Sequence, residues 1–149
     1  MRRVLFHLAF VTMLLSGMLL GAGLASAQEA QSSPADSQAF RTIISDQIKA
    51  FRSGDASRAF SYASPALKNQ FQSPQFFMHM VKSAYDPVYG AKNLSFGQTR
   101  DTPLGPVQEA YVTDRNGTDW LALYSFVRDG SGNWKISACR LTQAPAFTV

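Results

Sequence analysis

The sequence predicts an α+β domain in which N-terminal helices pack on a curved antiparallel sheet of about four strands. Apolar residues recur at helical spacing in the first half of the chain and alternate with polar residues in the second half. A single change of periodicity of this kind is typical of a domain whose helices and strands are segregated along the chain. We place this single domain at residues 36–143.

The N-terminus has the pattern of a secretory signal peptide. Arg2 and Arg3 precede an apolar run at residues 4–24, which ends in the small residues 25–27. The run is long enough to span a bilayer, so a retained anchor is the alternative to cleavage. We expect a cleaved signal peptide at 1–27, a disordered spacer at 28–35, a loose tail at 144–149, a periplasmic location and no membrane association after cleavage.

The charge pattern argues against a nucleic-acid partner. The 149-residue chain has a net charge of +4, and two of its arginines lie in the leader. The other lysines and arginines form no cluster and are not interleaved with aromatic residues. Because a nucleic-acid binder needs a basic patch or stripe, we expect none to bind.

The first helix is predicted from about Asp36, as the N-cap, to Ser53, with Gly54 beyond its end. Helical spacing places Gln47 inside its apolar stripe, so this amide points toward the interior and needs a partner there, which nearby backbone or a ligand would supply. The stripe itself consists of Phe40, Ile43, Ile44, Ile48 and Phe51.

Three shorter helices follow, and each begins after a capping residue: Asp55, Ser64 or Ser73. On the last of them we expect His79 to face outward. After it, Pro87 is expected to hold an extended approach to the sheet. The predicted core face of this last helix consists of Phe76, Phe77, Met80, Val81 and Ala84.

The second half of the chain reads as four strands. Their segments are NLSFGQTRD, PVQEAYVTD, TDWLALYSFV and NWKISACRL, joined by a loop with two prolines and by the turns DRNG and RDGSGN. The third strand is apolar on both faces, which predicts a central position with helices on one side and a second subunit on the other.

Three segments carry a resemblance to a known family: QIKAFRSGDASRAFSYASPALKNQF, FFMHMVKSAYDPVY and GNWKISACRL. They are similar to the bacterial family catalogued as domain of unknown function 4864, over nearly the whole chain after the leader. The family has no assigned activity, so the resemblance implies none. The order of helices and sheet also resembles the nuclear-transport-factor-2-like, or ketosteroid-isomerase-like, α+β cone, a shape that cystatin-like folds share. One fold serves many functions, so this likeness implies shape only.

An enzyme of this shape would use a buried carboxylate as its base, which makes Glu109 and Asp86 the candidate catalytic residues. Glu109 shares a strand face with Val107 and Tyr111, and Asp86 follows Tyr85. Charged residues at such positions usually face solvent, so a small isomerase or dehydratase is a minor alternative.

Metal and cofactor chemistry lack the necessary residues. Apart from His7 in the leader, the chain has one histidine, His79, and one cysteine, Cys139. A zinc site needs three or four placed ligands, so we expect no metal and no cofactor. A lone cysteine also excludes an intrachain disulfide, and it is either a buried thiol or the site of an intermolecular disulfide.

The sequence therefore favours a non-catalytic module that binds a small apolar ligand or an envelope protein. An apolar cavity with a few polar groups is expected between the helices and the sheet. A homodimer through the outer sheet face is the alternative, with Cys139 at the interface if it points outward. The expected lining residues are Gln47, Phe76, Met80, Tyr85, Tyr89, Trp120 and Tyr124.

Overall fold

The computed structural model describes residues 31–144. Over this range the four strands form one antiparallel sheet in the order β1-β2-β3-β4, and five helices precede it. The predicted α+β class is confirmed. The leader, residues 28–30 of the spacer and residues 145–149 of the tail lie outside the described residues. The elements are α1 (Pro34–Ser53), α2 (Ala56–Ser61), α3 (Pro65–Phe71), α4 (Pro74–Ala84), α5 (Asp86–Tyr89), β1 (Asn93–Thr102), β2 (Gly105–Thr113), β3 (Asp119–Arg128) and β4 (Trp134–Gln143).

Helix α1 begins at Pro34 rather than after Asp36, because Ser33 is its N-cap. The Ser33 hydroxyl accepts a hydrogen bond from the backbone N–H of Asp36, whose carboxylate accepts one from the backbone N–H of Ser33. This reciprocal pair is a capping box, which makes Asp36 the third residue of the helix. Residues 33–35, expected at the end of the spacer, are therefore the start of α1.

The chain between α4 and β1 forms the short helix α5 instead of the extended segment expected around Pro87. A proline in the first turn of a helix is tolerated, because the N–H it lacks has no partner there anyway. The turn buries Val88 in the core. None of the helices within residues 31–144 is long and apolar enough to cross a membrane.

Helix α4 is rotated about its axis relative to the expected orientation. Phe77 and Val81 are buried as predicted, but Phe76 is 57% exposed and Ala84 is also exposed. Phe77 packs against Phe60 of α2 and Phe71 of α3, with ring centroids 5.3 Å and 5.6 Å away. These contacts to neighbouring helices decide which side of α4 is buried. His79 is exposed, as expected.

The inner face of the sheet packs against α1. Phe40 stacks on Phe126 of β3, with ring centroids 4.3 Å apart. β3 lies between β2 and β4, in the central position that was predicted. Its outer face carries Leu121, Leu123 and Val127, all half-buried. The core on the inner face includes Ala110, Val112, Ala122, Tyr124, Phe126 and Ile136.

Candidate functional site

A cavity of about 330 Å³ lies between the helices and the inner face of β3 and β4. Most of its wall is apolar. Gln70 of α3 and Ala138 of β4 are the exposed lining residues, so the mouth lies between these two elements. The lining consists of Gln47, Phe51, Leu67, Gln70, Phe71, Phe77, Met80, Val81, Tyr85, Val88, Tyr124, Ser137, Ala138 and Cys139.

Tyr124 supplies the most buried polar group of the wall. Its side chain is 1% exposed, because strand alternation on β3 directs it toward the helices. Apart from a weak contact with the Cys139 thiol, its hydroxyl makes no hydrogen bond of normal geometry to any residue in 31–144. Native proteins rarely leave such a group unpaired, so this hydroxyl calls for an explanation. Burial raises the pKa of Tyr124 well above its ordinary value of 10.0, and the hydroxyl therefore keeps its proton.

Cys139 of β4 is the cross-strand neighbour of Tyr124 on β3, and it lines the same cavity. Burial raises the pKa of its thiol to about 12, so the thiol stays neutral. A neutral thiol is a weak hydrogen-bonding group, so its contact with the Tyr124 hydroxyl leaves that hydroxyl without a strong acceptor. Cys139 is thus on the inner face of the sheet, so it does not meet the condition, an outward direction, under which it would take part in an outer-face interface.

The other two polar groups deep in the wall already have partners. The side-chain amide N–H of Gln47 donates to the carbonyl oxygen of Ala59 over 3.2 Å. The Tyr85 hydroxyl donates to the carbonyl oxygen of Cys139 over 3.1 Å. Gln47 is therefore a paired core amide, the first of the two roles that its place on the α1 stripe suggested.

The structure brings together four of the seven residues expected to line a pocket: Gln47, Met80, Tyr85 and Tyr124. The other three do not line the cavity.

Phe76 points outward from α4. Tyr89 packs against Phe51 with ring centroids 6.2 Å apart, and the charged groups of Lys82 and Arg115 each lie 5.9 Å from its ring centre. Trp120 donates its indole N–H to the Asp114 carboxylate over 3.0 Å, at the turn between β2 and β3.

Neither candidate catalytic carboxylate lines the cavity. Glu109 lies on the outer face of β2, is 8% exposed, pairs with Arg100 over 2.8 Å and accepts the backbone N–H of Gln98 over 3.1 Å. Asp86 is exposed and lies 3.7 Å from Arg115. The described lining residues include no carboxylate, so this wall offers no general base of the expected kind. Within residues 31–144, no cluster of three or more His, Cys, Asp or Glu side chains is placed to hold a metal ion.

The sequence interpretation missed the lining residues of α3 and β4, notably Leu67, Phe71 and Cys139. Leu67 and Phe71 are four residues apart and so share one side of α3, which was a usable signal. The sequence indicated the position of Cys139 less clearly. The side of the sheet on which Cys139 lies depends on the pairing of β4 with β3, and the register of this pairing shifts between Ser125 and Phe126 of β3.

Comparison with known proteins identifies a family for this chain. The family model described as Domain of unknown function (DUF4864) matches residues 33–149. No curated protein matches the chain. The matched range begins at Ser33, the cap of α1, and includes every lining residue of the cavity.

Proposed function

The chain belongs to the family described as domain of unknown function DUF4864, and we propose that it is a non-catalytic module that binds a small, mainly apolar molecule between its helices and its sheet. The observation that carries the proposal is the apolar cavity with the unpaired hydroxyl of Tyr124 in its wall. Small-molecule sites typically combine an apolar wall with a few placed polar groups.

The size of the cavity supports a small ligand. Its volume of about 330 Å³ is at the low end of the roughly 300–1,000 Å³ that is usual for ligand sites. Removal of apolar ligand surface from water would provide most of the binding free energy. The mouth between Gln70 and Ala138 gives a ligand a path from solvent.

A neutral fluorescent probe tests this function. Prodan, an uncharged naphthalene ketone, is titrated into the purified domain, and its emission is followed. We expect a blue shift that saturates at one probe per chain, because the probe enters an apolar environment. The proposal is overturned if neither prodan nor a smaller uncharged naphthalene, such as acetylnaphthalene, shows saturable binding.

A matched pair of variants locates the site. Met80→Trp places an indole in the cavity wall and is expected to abolish the prodan signal. His79→Trp adds the same indole at the adjacent exposed position of α4 and is expected to keep it. Thermal unfolding of both variants checks that they are folded. Equal binding by the two variants would place the probe elsewhere on the protein.

A homodimer through the outer sheet face is a second candidate. This face carries a row of half-buried apolar side chains, interrupted on β2 by Glu109, and apolar surface is its own complement in a two-fold pair. Light scattering after size exclusion tests this candidate. We expect a dimer that Leu123→Lys dissociates, whereas His79→Lys on the exposed side of α4 leaves it intact. A monomeric wild-type protein overturns the candidate. The row consists of Val107, Tyr111, Leu121, Leu123 and Val127.

We propose that the protein is exported to the bacterial periplasm, because residues 1–27 have the pattern of a signal peptide. N-terminal sequencing of the protein from a periplasmic extract tests it, with Gln28 as the expected first residue. The helices-then-sheet order, with a cavity between the layers, further supports a cone of the nuclear-transport-factor-2-like kind.

A further inference from the structure

The wall of the cavity is uncharged. None of its lining side chains is an Asp, Glu, Lys, Arg or His. An ionised ligand group placed there would lose its water and gain no ion pair in return. The wall therefore selects against carboxylates, phosphates and ammonium groups and favours an uncharged molecule.

One strong hydrogen-bond donor deep in this wall is unused. The Tyr124 hydroxyl is buried, and within residues 31–144 it makes no hydrogen bond of normal geometry, only a weak contact with the Cys139 thiol. One of the two side-chain N–H groups of Gln47 and the hydroxyl of Tyr85 already donate to backbone carbonyl groups. A ligand deep in the cavity therefore meets a phenolic O–H that lacks a strong acceptor, and an oxygen acceptor on the ligand satisfies it.

We infer that the ligand is an uncharged apolar molecule with one hydrogen-bond acceptor, a carbonyl, ether or hydroxyl oxygen, which accepts from Tyr124. This inference rests on the proposed binding function and narrows it to a chemical class. Tyr124 is then the residue that determines specificity. A plain hydrocarbon in the cavity leaves the buried donor without an acceptor, which weakens the binding of that ligand. A ketone of the same shape accepts the hydrogen bond and therefore binds more tightly.

Three probes of nearly the same shape test the class: acetylnaphthalene, a ketone; isopropylnaphthalene, a hydrocarbon; and naphthoate, an anion. Each is titrated into the domain, and the methyl resonance of Met80 in the cavity wall is followed by NMR. We expect the ketone to bind about tenfold more tightly than the hydrocarbon, the effect of one added neutral hydrogen bond. Naphthoate is expected not to bind over the same concentration range.

Two variants assign the preference to one hydroxyl. In Tyr124→Phe, the ketone is expected to bind no more tightly than the hydrocarbon. In Tyr111→Phe, which removes a hydroxyl from the outer sheet face, the tenfold preference is expected to persist. The comparison of the three probes on the unaltered protein stands by itself even if a variant fails to fold.

The outcomes separate the two proposals. Equal binding of ketone and hydrocarbon, binding of naphthoate as tight as that of the ketone, or a preference that survives Tyr124→Phe overturns the ligand class but leaves the binding function in place. If none of the three probes shifts the Met80 resonance and prodan does not bind, the binding function fails and the inference fails with it.

Discussion

Tyr124 of β3 and Cys139 of β4 are cross-strand neighbours on the inner side of the sheet, and both side chains form part of the cavity wall. The backbone carbonyl of Cys139 accepts the hydroxyl of Tyr85, which follows α4. One residue of β4 thus joins the end of α4 to the sheet and places its thiol beside the unpaired phenol.

The two tyrosines of the cavity should respond oppositely to loss of the hydroxyl. Tyr85→Phe removes a hydrogen bond and is expected to lower the free energy of unfolding by about 1 kcal/mol. Tyr124→Phe removes a buried hydroxyl whose contact with the Cys139 thiol is weak, so stability is expected to stay level or rise by up to about 1 kcal/mol. Urea unfolding measures both values, and a larger loss for Tyr124→Phe would contradict the unpaired state.

Cys139 should be unreactive in the folded protein. With the pKa of its thiol raised from 9.0 to about 12, the thiolate fraction near pH 8 falls roughly a thousandfold. We therefore expect alkylation by iodoacetamide, followed by mass spectrometry, to be much slower in native than in urea-unfolded protein. Non-reducing gels should show no disulfide-linked dimer, and such a dimer would contradict the inner-face position.

Acid should weaken the attachment of α1 to the β3–β4 hairpin. The indole N–H of Trp134 donates to the Asp36 carboxylate over 2.7 Å, and this bond is the main reason that the pKa of Asp36 is lowered below 3.8. A lowered folded-state pKa gives stability that is present above the unfolded pKa and is lost as pH falls through the folded one.

Asp36→Asn tests this linkage. The variant is expected to be less stable than wild type at about pH 7, and the gap should narrow steadily toward about pH 2.5. Asp46→Asn is the matched control on the same helix, because the ion pair of Asp46 with exposed Lys49 contributes little at any pH. A gap that is independent of pH would refute the role of the ionised carboxylate.

A side chain at position 97 should lower the stability of the fold. A Cβ at this position would lie 2.5 Å from Oε2 of Glu109 and 3.0 Å from the ring of Tyr111. Gly97→Ala is therefore expected to lower the free energy of unfolding by about 1–3 kcal/mol, measured by urea unfolding. Gly130→Ala is the control, since nothing lies within 4 Å of its Cβ position.

The double variant Gly97→Ala/Glu109→Ala isolates this contact. Truncation of Glu109 removes Oε2, the atom that lies closest to the new methyl group, so the double variant should lose less stability than the sum of the single losses. Additive losses would show that Gly97 is required for another reason.

Local features of the molecule were predictable to different degrees. The starts of α3 and α4 at Ser64-Pro65 and Ser73-Pro74 follow from capping chemistry within a few residues, and the structure has them there. The start of α1 was misplaced because Asp36 is a good cap by itself, and Ser33 prevails only through the reciprocal pair that both residues form.

The sequence alone determined the order of the elements, the central place of β3 and the inward direction of Gln47 and Tyr124, because these depend on spacing and alternation within one helix or strand. The tertiary structure decided which inward residues share a cavity. That Tyr124 meets Cys139, that Phe76 lies outside, and that Glu109 points away from the helices depend on strand register and on how helices pack. These relations join residues far apart in the chain, and no periodicity within one element encodes them.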